Sequence, residues 1–106
     1  KNAEGIKIIK SDPQHRTVWW RYTILIDQKI NLQTFKEKAL KKNIVVREGY
    51  LPLHKHPFFK EYNNILLPNA EKLGKETLDI PSSFNLKESE IEFVGKSLTE
   101  IAKSLI

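Results

Sequence analysis

Cysteine is absent from the 106 residues, and so is methionine. Without Cys there is no disulfide scaffold, no thiolate zinc site and no cysteine nucleophile. Without Met, and beginning at Lys1, the sequence is expected to be a piece of something longer. Glycine is scarce: Gly5, Gly49, Gly74 and Gly95 are too scattered for a glycine-rich phosphate loop. No Gly-x-Ser-x-Gly elbow is present, so a Ser-His-Asp hydrolase has no specific support. No apolar run approaches the roughly 20 residues of a membrane-spanning helix, and no signal peptide is visible. Acidic side chains are the minority, 13 against 18 Lys and Arg, for a net charge of +5.

What remains is ordinary globular composition, with 40% hydrophobic and 29% charged residues. The length suits one domain, expected over residues 1–106, and one packed core without staples. The positive charge is local. Residues 41–60 carry Lys41, Lys42, Arg47, Lys55 and Lys60 against Glu48 alone, whereas residues 61–106 have 5 basic and 8 acidic groups. A local basic excess points to an anionic partner or an acidic neighbouring domain.

Apolar spacing predicts a strand over Ile6–Lys10, followed by turn chemistry at Ser11-Asp12-Pro13-Gln14. Thr17–Ile26 is almost wholly β-branched or aromatic and reads as a second strand. Val18, Trp20, Tyr22, Ile24 and Ile26 fall on one face, and Trp19, Arg21, Thr23 and Leu25 on a half-wetted one. Asn31 can cap a helix to about Lys42, with Leu32, Phe35, Ala39 and Leu40 as its apolar stripe. Ile44–Arg47 reads as a third strand, ended by Gly49. Two strands separated by a helix of this length suggest an α/β layered module. Phe58–Tyr62 fits one helical turn, and Pro68 opens a helix that Pro81 ends, with Ala70, Leu73 and Thr77 inward. Asn85 and Glu88 form a capping box for a last helix over Leu86–Leu105. Its stripe is Ile91, Val94, Leu98, Ile101 and Leu105.

Between the third strand and Pro68 lies the least periodic stretch, stiffened by Pro52 and Pro57. His54 and His56 form a His-x-His pair without a nearby third ligand, so a metal site is weakly supported. Lysines interleaved with aromatics could bind nucleic acid, but no recognised motif accompanies them, and a solvated lysine face explains them as well. Arg47, Tyr50 and His54 follow a strand end, where binding groups are commonly mounted. Arg offers a bidentate fork for phosphate or carboxylate, and Tyr and His offer neutral hydrogen bonds. The plainer alternative, Tyr50 packed on the core and His54 capping the turn, stays open.

Together these segments resemble the C-terminal small domain of the DegT-like sugar-nucleotide aminotransferases, pyridoxal-phosphate enzymes of the aspartate-aminotransferase fold type. The resemblance covers about Thr17–Leu105. It rests on Val18-Trp19-Trp20-Arg21-Tyr22, on Asn43-Ile44-Val45-Val46-Arg47 followed by Tyr50-Leu51-Pro52-Leu53-His54, on Leu67-Pro68-Asn69-Ala70-Glu71, and on Leu78-Asp79-Ile80-Pro81 before the last helix. Asn43 stands where the family usually has Gly, and Glu48-Gly49 precede the aromatic where members vary.

The resemblance implies an α+β fold: a small, about three-stranded, mainly antiparallel sheet covered by helices. It implies that the full enzyme moves an amino group from an amino acid, typically glutamate, to a keto-sugar nucleotide in polysaccharide or antibiotic-sugar biosynthesis. Pyridoxal phosphate and its anchoring lysine would sit in a large domain before Lys1. This chain would then hold no catalytic or cofactor-binding residue and would be inactive alone. Substrate binding maps onto Arg47, Tyr50 and His54, with Trp20 as a further lining group. A cytoplasmic homodimer that binds no nucleic acid is implied as well. A relative that acts as a sugar dehydratase or a regulator remains a rival, as does a stand-alone basic binding module.

Overall fold

The computed structural model describes residues 3–106. In chain order its elements are β1 (Ile6–Ile8), β2 (Tyr22–Ile26), α1 (Leu32–Lys41), β3 (Arg47–Glu48), short 3₁₀ turns at Leu53–Lys55 and Pro57–Tyr62, α2 (Pro68–Glu76), β4 (Thr77–Ile80) and α3 (Glu88–Leu105). The four strands form one antiparallel sheet in the order β1-β2-β4-β3. The α+β expectation holds, with four strands among the described residues instead of three.

Strand alternation decides which side chains enter the core. Ile24 and Ile26 of β2 and Leu78 of β4 join Phe35 and Ala39 of α1 and Leu98, Ile101 and Ala102 of α3 in one buried cluster. Phe35, Ile26 and Leu78 are its largest fully buried side chains. The other face of the sheet carries Thr23, Asp79 and Arg47, with α2 packed beside it.

Helix α1 begins as expected, with Asn31 Oδ1 accepting from the Thr34 N–H at 2.9 Å. It ends in a Schellman turn: the Asn43 N–H donates to the Leu40 carbonyl at 2.8 Å and the Ile44 N–H to the Ala39 carbonyl at 3.0 Å. Asn43 sits there at φ 59°, the left-handed position. Asn tolerates that region better than other non-glycine residues, so the turn forms without a glycine at this position.

Several expectations need correction. The strand expected over Thr17–Ile26 starts only at Tyr22. Trp19 adopts φ 49°, which no strand tolerates, and its ring stacks on Tyr22 with centroids 4.7 Å apart. Val18 and Trp20 therefore leave the apolar face and lie exposed. The strand expected over Ile44–Arg47 pairs only at Arg47–Glu48, although Ile44 and Val46 still bury. The first strand stops at Ile8. The helix expected up to Pro81 ends at Glu76, and Thr77–Ile80 turns directly into the central strand β4. The last helix begins at Glu88, where the Glu90 carboxylate accepts from the Lys87 N–H at 2.7 Å. Asn85 instead accepts from the Ser83 hydroxyl. Leu40 and Ile91, both expected in apolar stripes, are exposed.

Candidate functional site

The outer face of the sheet sets a polar row across three strands. Register places Thr23 of β2 and Arg47 of β3 on either side of Asp79 of β4. Asp79 is nearly buried, and both its oxygens are engaged from the β2 side. Thr23 Oγ1 donates to Oδ1 at 2.5 Å, and the Arg21 guanidinium pairs with Oδ2. Asp79 is thereby neutralised by Arg21. Arg47 is exposed and makes no side-chain hydrogen bond or ion pair among the described residues. It is an uncommitted cation at the edge of a folded sheet.

The segment after β3 is held against this face at three points. The Gly49 N–H donates to the Thr77 carbonyl at 3.0 Å, and a Cβ at Gly49 would lie 2.0 Å from Thr77 Oγ1. Only glycine lets the chain leave β3 so close to β4. On α2, a Cβ at Gly74 would lie 2.7 Å from Pro52 Cδ. The third point is His54, which is buried with Nε2 3.0 Å from Glu71 Oε1. Lys55 Nζ approaches the same oxygen at 3.3 Å. The His54 hydrogen bond, aided by Lys55, holds the Glu71 carboxyl below the usual carboxylate range. An ionised Glu71 can only accept, so His54 Nε2 donates in this hydrogen bond and Nδ1 takes no part in it. That Nδ1 is buried with no partner among the described residues.

Tyr50 leaves this clamped segment 70% exposed, its ring centroid 4.2 Å from the Arg21 guanidinium. Trp20, 78% exposed, lies on the same guanidinium at 5.9 Å. Arg21, Thr23, Tyr50, Pro52, Gly74 and Asp79 line a cleft of about 370 Å³.

Of the residues predicted from sequence, Tyr50 and Trp20 thus gather around Arg21, and Arg47 stands on the same sheet face. His54 does not line the cleft but pins its wall. Sequence reasoning missed Arg21, Thr23 and Asp79. The only signal was the half-wetted face assigned to Arg21 and Thr23, and nothing local pairs either with Asp79. The basic excess of residues 41–60 is also smaller in three dimensions: Lys42 pairs with Glu100 at 3.0 Å and Lys55 with Glu71.

His54 and His56 do not converge: His54 is turned onto Glu71, while His56 is half-buried. Among the described residues no group of three or more His, Cys, Asp or Glu could hold a metal ion, and no helix is long and apolar enough to cross a membrane.

Comparison with known proteins gives a consistent picture. A sequence model described as the DegT/DnrJ/EryC1/StrS aminotransferase family matches residues 1–99. The chain is 35% identical over 86 residues to a pleiotropic regulatory protein of Geobacillus stearothermophilus, covering 78% of this chain and 22% of that protein. It superposes on the aminotransferase TlmJ of Streptoalloteichus hindustanus with a TM-score of 0.83, at 21% identity, covering 97% of this chain and 28% of that one. Against the sugar aminotransferase CalS13 of Micromonospora echinospora the TM-score is 0.79, at 14% identity, covering 92% and 25%. The chain therefore spans between a fifth and a third of the length of these relatives. Members of this family use pyridoxal phosphate. The cleft does not fit that group, because no lysine lines it to serve as an anchor.

Proposed function

The chain belongs to the DegT/DnrJ/EryC1/StrS aminotransferase family, and from that premise we propose that residues 1–106 form the substrate-side small domain of a sugar-nucleotide aminotransferase. Its large domain lies upstream and carries the pyridoxal phosphate and the lysine that anchors it. The full enzyme, a cytoplasmic homodimer, transfers an amino group from an amino acid, typically glutamate, to a keto-sugar nucleotide. The fragment alone is inactive.

The observation that carries this reading is the uncommitted Arg47 beside an Asp79 already neutralised by Arg21. A guanidinium with no internal partner, on a rigid strand, is suited to bidentate contact with a diphosphate. Tyr50 has a hydroxyl without a protein partner among the described residues and offers it to the substrate, while Trp20 forms an outer wall. His54, bonded to Glu71, keeps the Tyr50–Pro52 segment in place. Leu51, Leu53, Phe58, Tyr62 and Leu66 are apolar side chains left exposed along residues 51–66, and cover by the upstream domain would suit them.

In the full-length enzyme, Arg47→Ala should weaken sugar-nucleotide affinity about tenfold or more, the worth of a charged hydrogen-bonded contact. Cofactor absorbance should be retained. Unchanged sugar-nucleotide kinetics would refute the assignment. The likeness to a pleiotropic regulatory protein supports a second reading, a regulator on the same fold. The upstream sequence separates the two, since an anchoring lysine there is required for transamination.

A further inference from the structure

We infer that Arg21 is a positioning residue for Tyr50, fixed in turn by Asp79 and Thr23. The inference rests on the reading of Tyr50 as a substrate contact and adds what holds it in place.

Tyr50 is 70% exposed and its hydroxyl bonds to nothing among the described residues, so ordinary packing does not choose its rotamer. The feature that does face its ring is the Arg21 guanidinium, 4.2 Å from the centroid. A cation over a tyrosine face is attracted by the ring quadrupole. That attraction sets direction only if the cation is itself immobile, and Arg21 is. Its side chain is 25% exposed and bound to an Asp79 carboxylate that is 11% exposed. Thr23 Oγ1 holds the other carboxylate oxygen at 2.5 Å. Order therefore passes outward from the central strand pair, from Thr23 to Asp79, then to Arg21, then to the ring at the cleft. Because Asp79 neutralises Arg21, the guanidinium acts as a flat platform, and the role of anion contact stays with Arg47.

The chemistry predicts that a lysine at position 21 fails as a substitute. It keeps the charge beside Asp79, so the fold is not left with an unpaired buried carboxylate, but it lacks the planar surface that stacks on a ring. The test titrates uridine diphosphate and thymidine diphosphate into the full-length protein. Four forms are compared: wild type, Arg21→Lys, Tyr50→Ala and the double variant. Arg21→Lys should weaken the diphosphate that binds by about fivefold, and Tyr50→Ala by at least as much. The double variant should match Tyr50→Ala, because a platform has no effect once the ring is gone. Two results overturn the inference alone: wild-type affinity in Arg21→Lys when Tyr50→Ala is weakened, or an Arg21→Lys loss that persists undiminished without Tyr50. Two others overturn the reading beneath it: wild-type affinity in Tyr50→Ala, or no binding of either diphosphate by the wild type.

Discussion

On the inner face of the sheet, Ile24 and Leu78 meet Phe35, Leu98 and Ile101. One residue along the same strands, on the outer face, Thr23 and Asp79 meet Arg21 and a cleft. The inner face is held by burial, which is tolerant of direction and scales with area. The outer face is held by a few bonds whose geometry matters and whose net energy is small. A substitution on the first should therefore change whether the domain exists, and one on the second should change what a standing domain binds.

Leu78→Ala probes the contrast most strongly. Leu78 is fully buried at the centre of β4, and its truncation should cost about 3 kcal/mol in denaturant unfolding. Ligand affinity of the surviving folded fraction should be preserved. A loss of affinity without a loss of stability would dissolve the division of labour. Gly49→Ala comes next, because it acts on the outer face through sterics. Its new methyl meets Thr77 Oγ1, so stability should fall by about 1–3 kcal/mol and the Arg47–Tyr50 segment should shift. Thr77→Ala in the same chain should recover part of both effects, read by unfolding midpoint and by ligand titration.

The smallest effect belongs to the clamp on α2. The folded state holds the Glu71 carboxyl below its ordinary value of 4.5, chiefly through His54. A depressed carboxylate contributes stability above the unfolded value and loses it as pH falls through the folded one. Unfolding midpoints followed from neutral pH to below 4.5 should drop less steeply in Glu71→Gln than in wild type. The same slope in both would remove Glu71 from the acid response.

Much of the inner face was legible in the sequence, because it is written in local periodicity. Asn31, Phe35 and Ala39 announced α1, and Leu98 and Ile101 announced the buried stripe of α3. Strand β4 was not legible. It follows α2 without an intervening turn, so Pro81 looked like the end of one helix. Thr-Leu-Asp-Ile is also a short segment whose strand character comes from partners elsewhere in the chain. The aromatic run before Tyr22 misled for the opposite reason. Its propensity is high, but the chain breaks direction at Trp19. For the candidate site, Arg47 and Tyr50 stand out in the sequence by their place after a strand, whereas Arg21, Thr23 and Asp79 are assembled by sheet register.

That register has a consequence for the order in which the molecule comes into being. Thr23 and Asp79 are 56 residues apart, and their pairing closes the centre of the sheet. Closing so long a loop costs chain entropy before any contact repays it, which places it late on a folding pathway. Helix α1 and its Schellman turn need no such closure and can form early. A nascent chain on the ribosome that has not yet exposed Thr77–Ile80 can hold α1, but it has neither a central strand pair nor an anchored Arg21. The outer-face cleft is thus not assembled until Thr77–Ile80 has been made and paired.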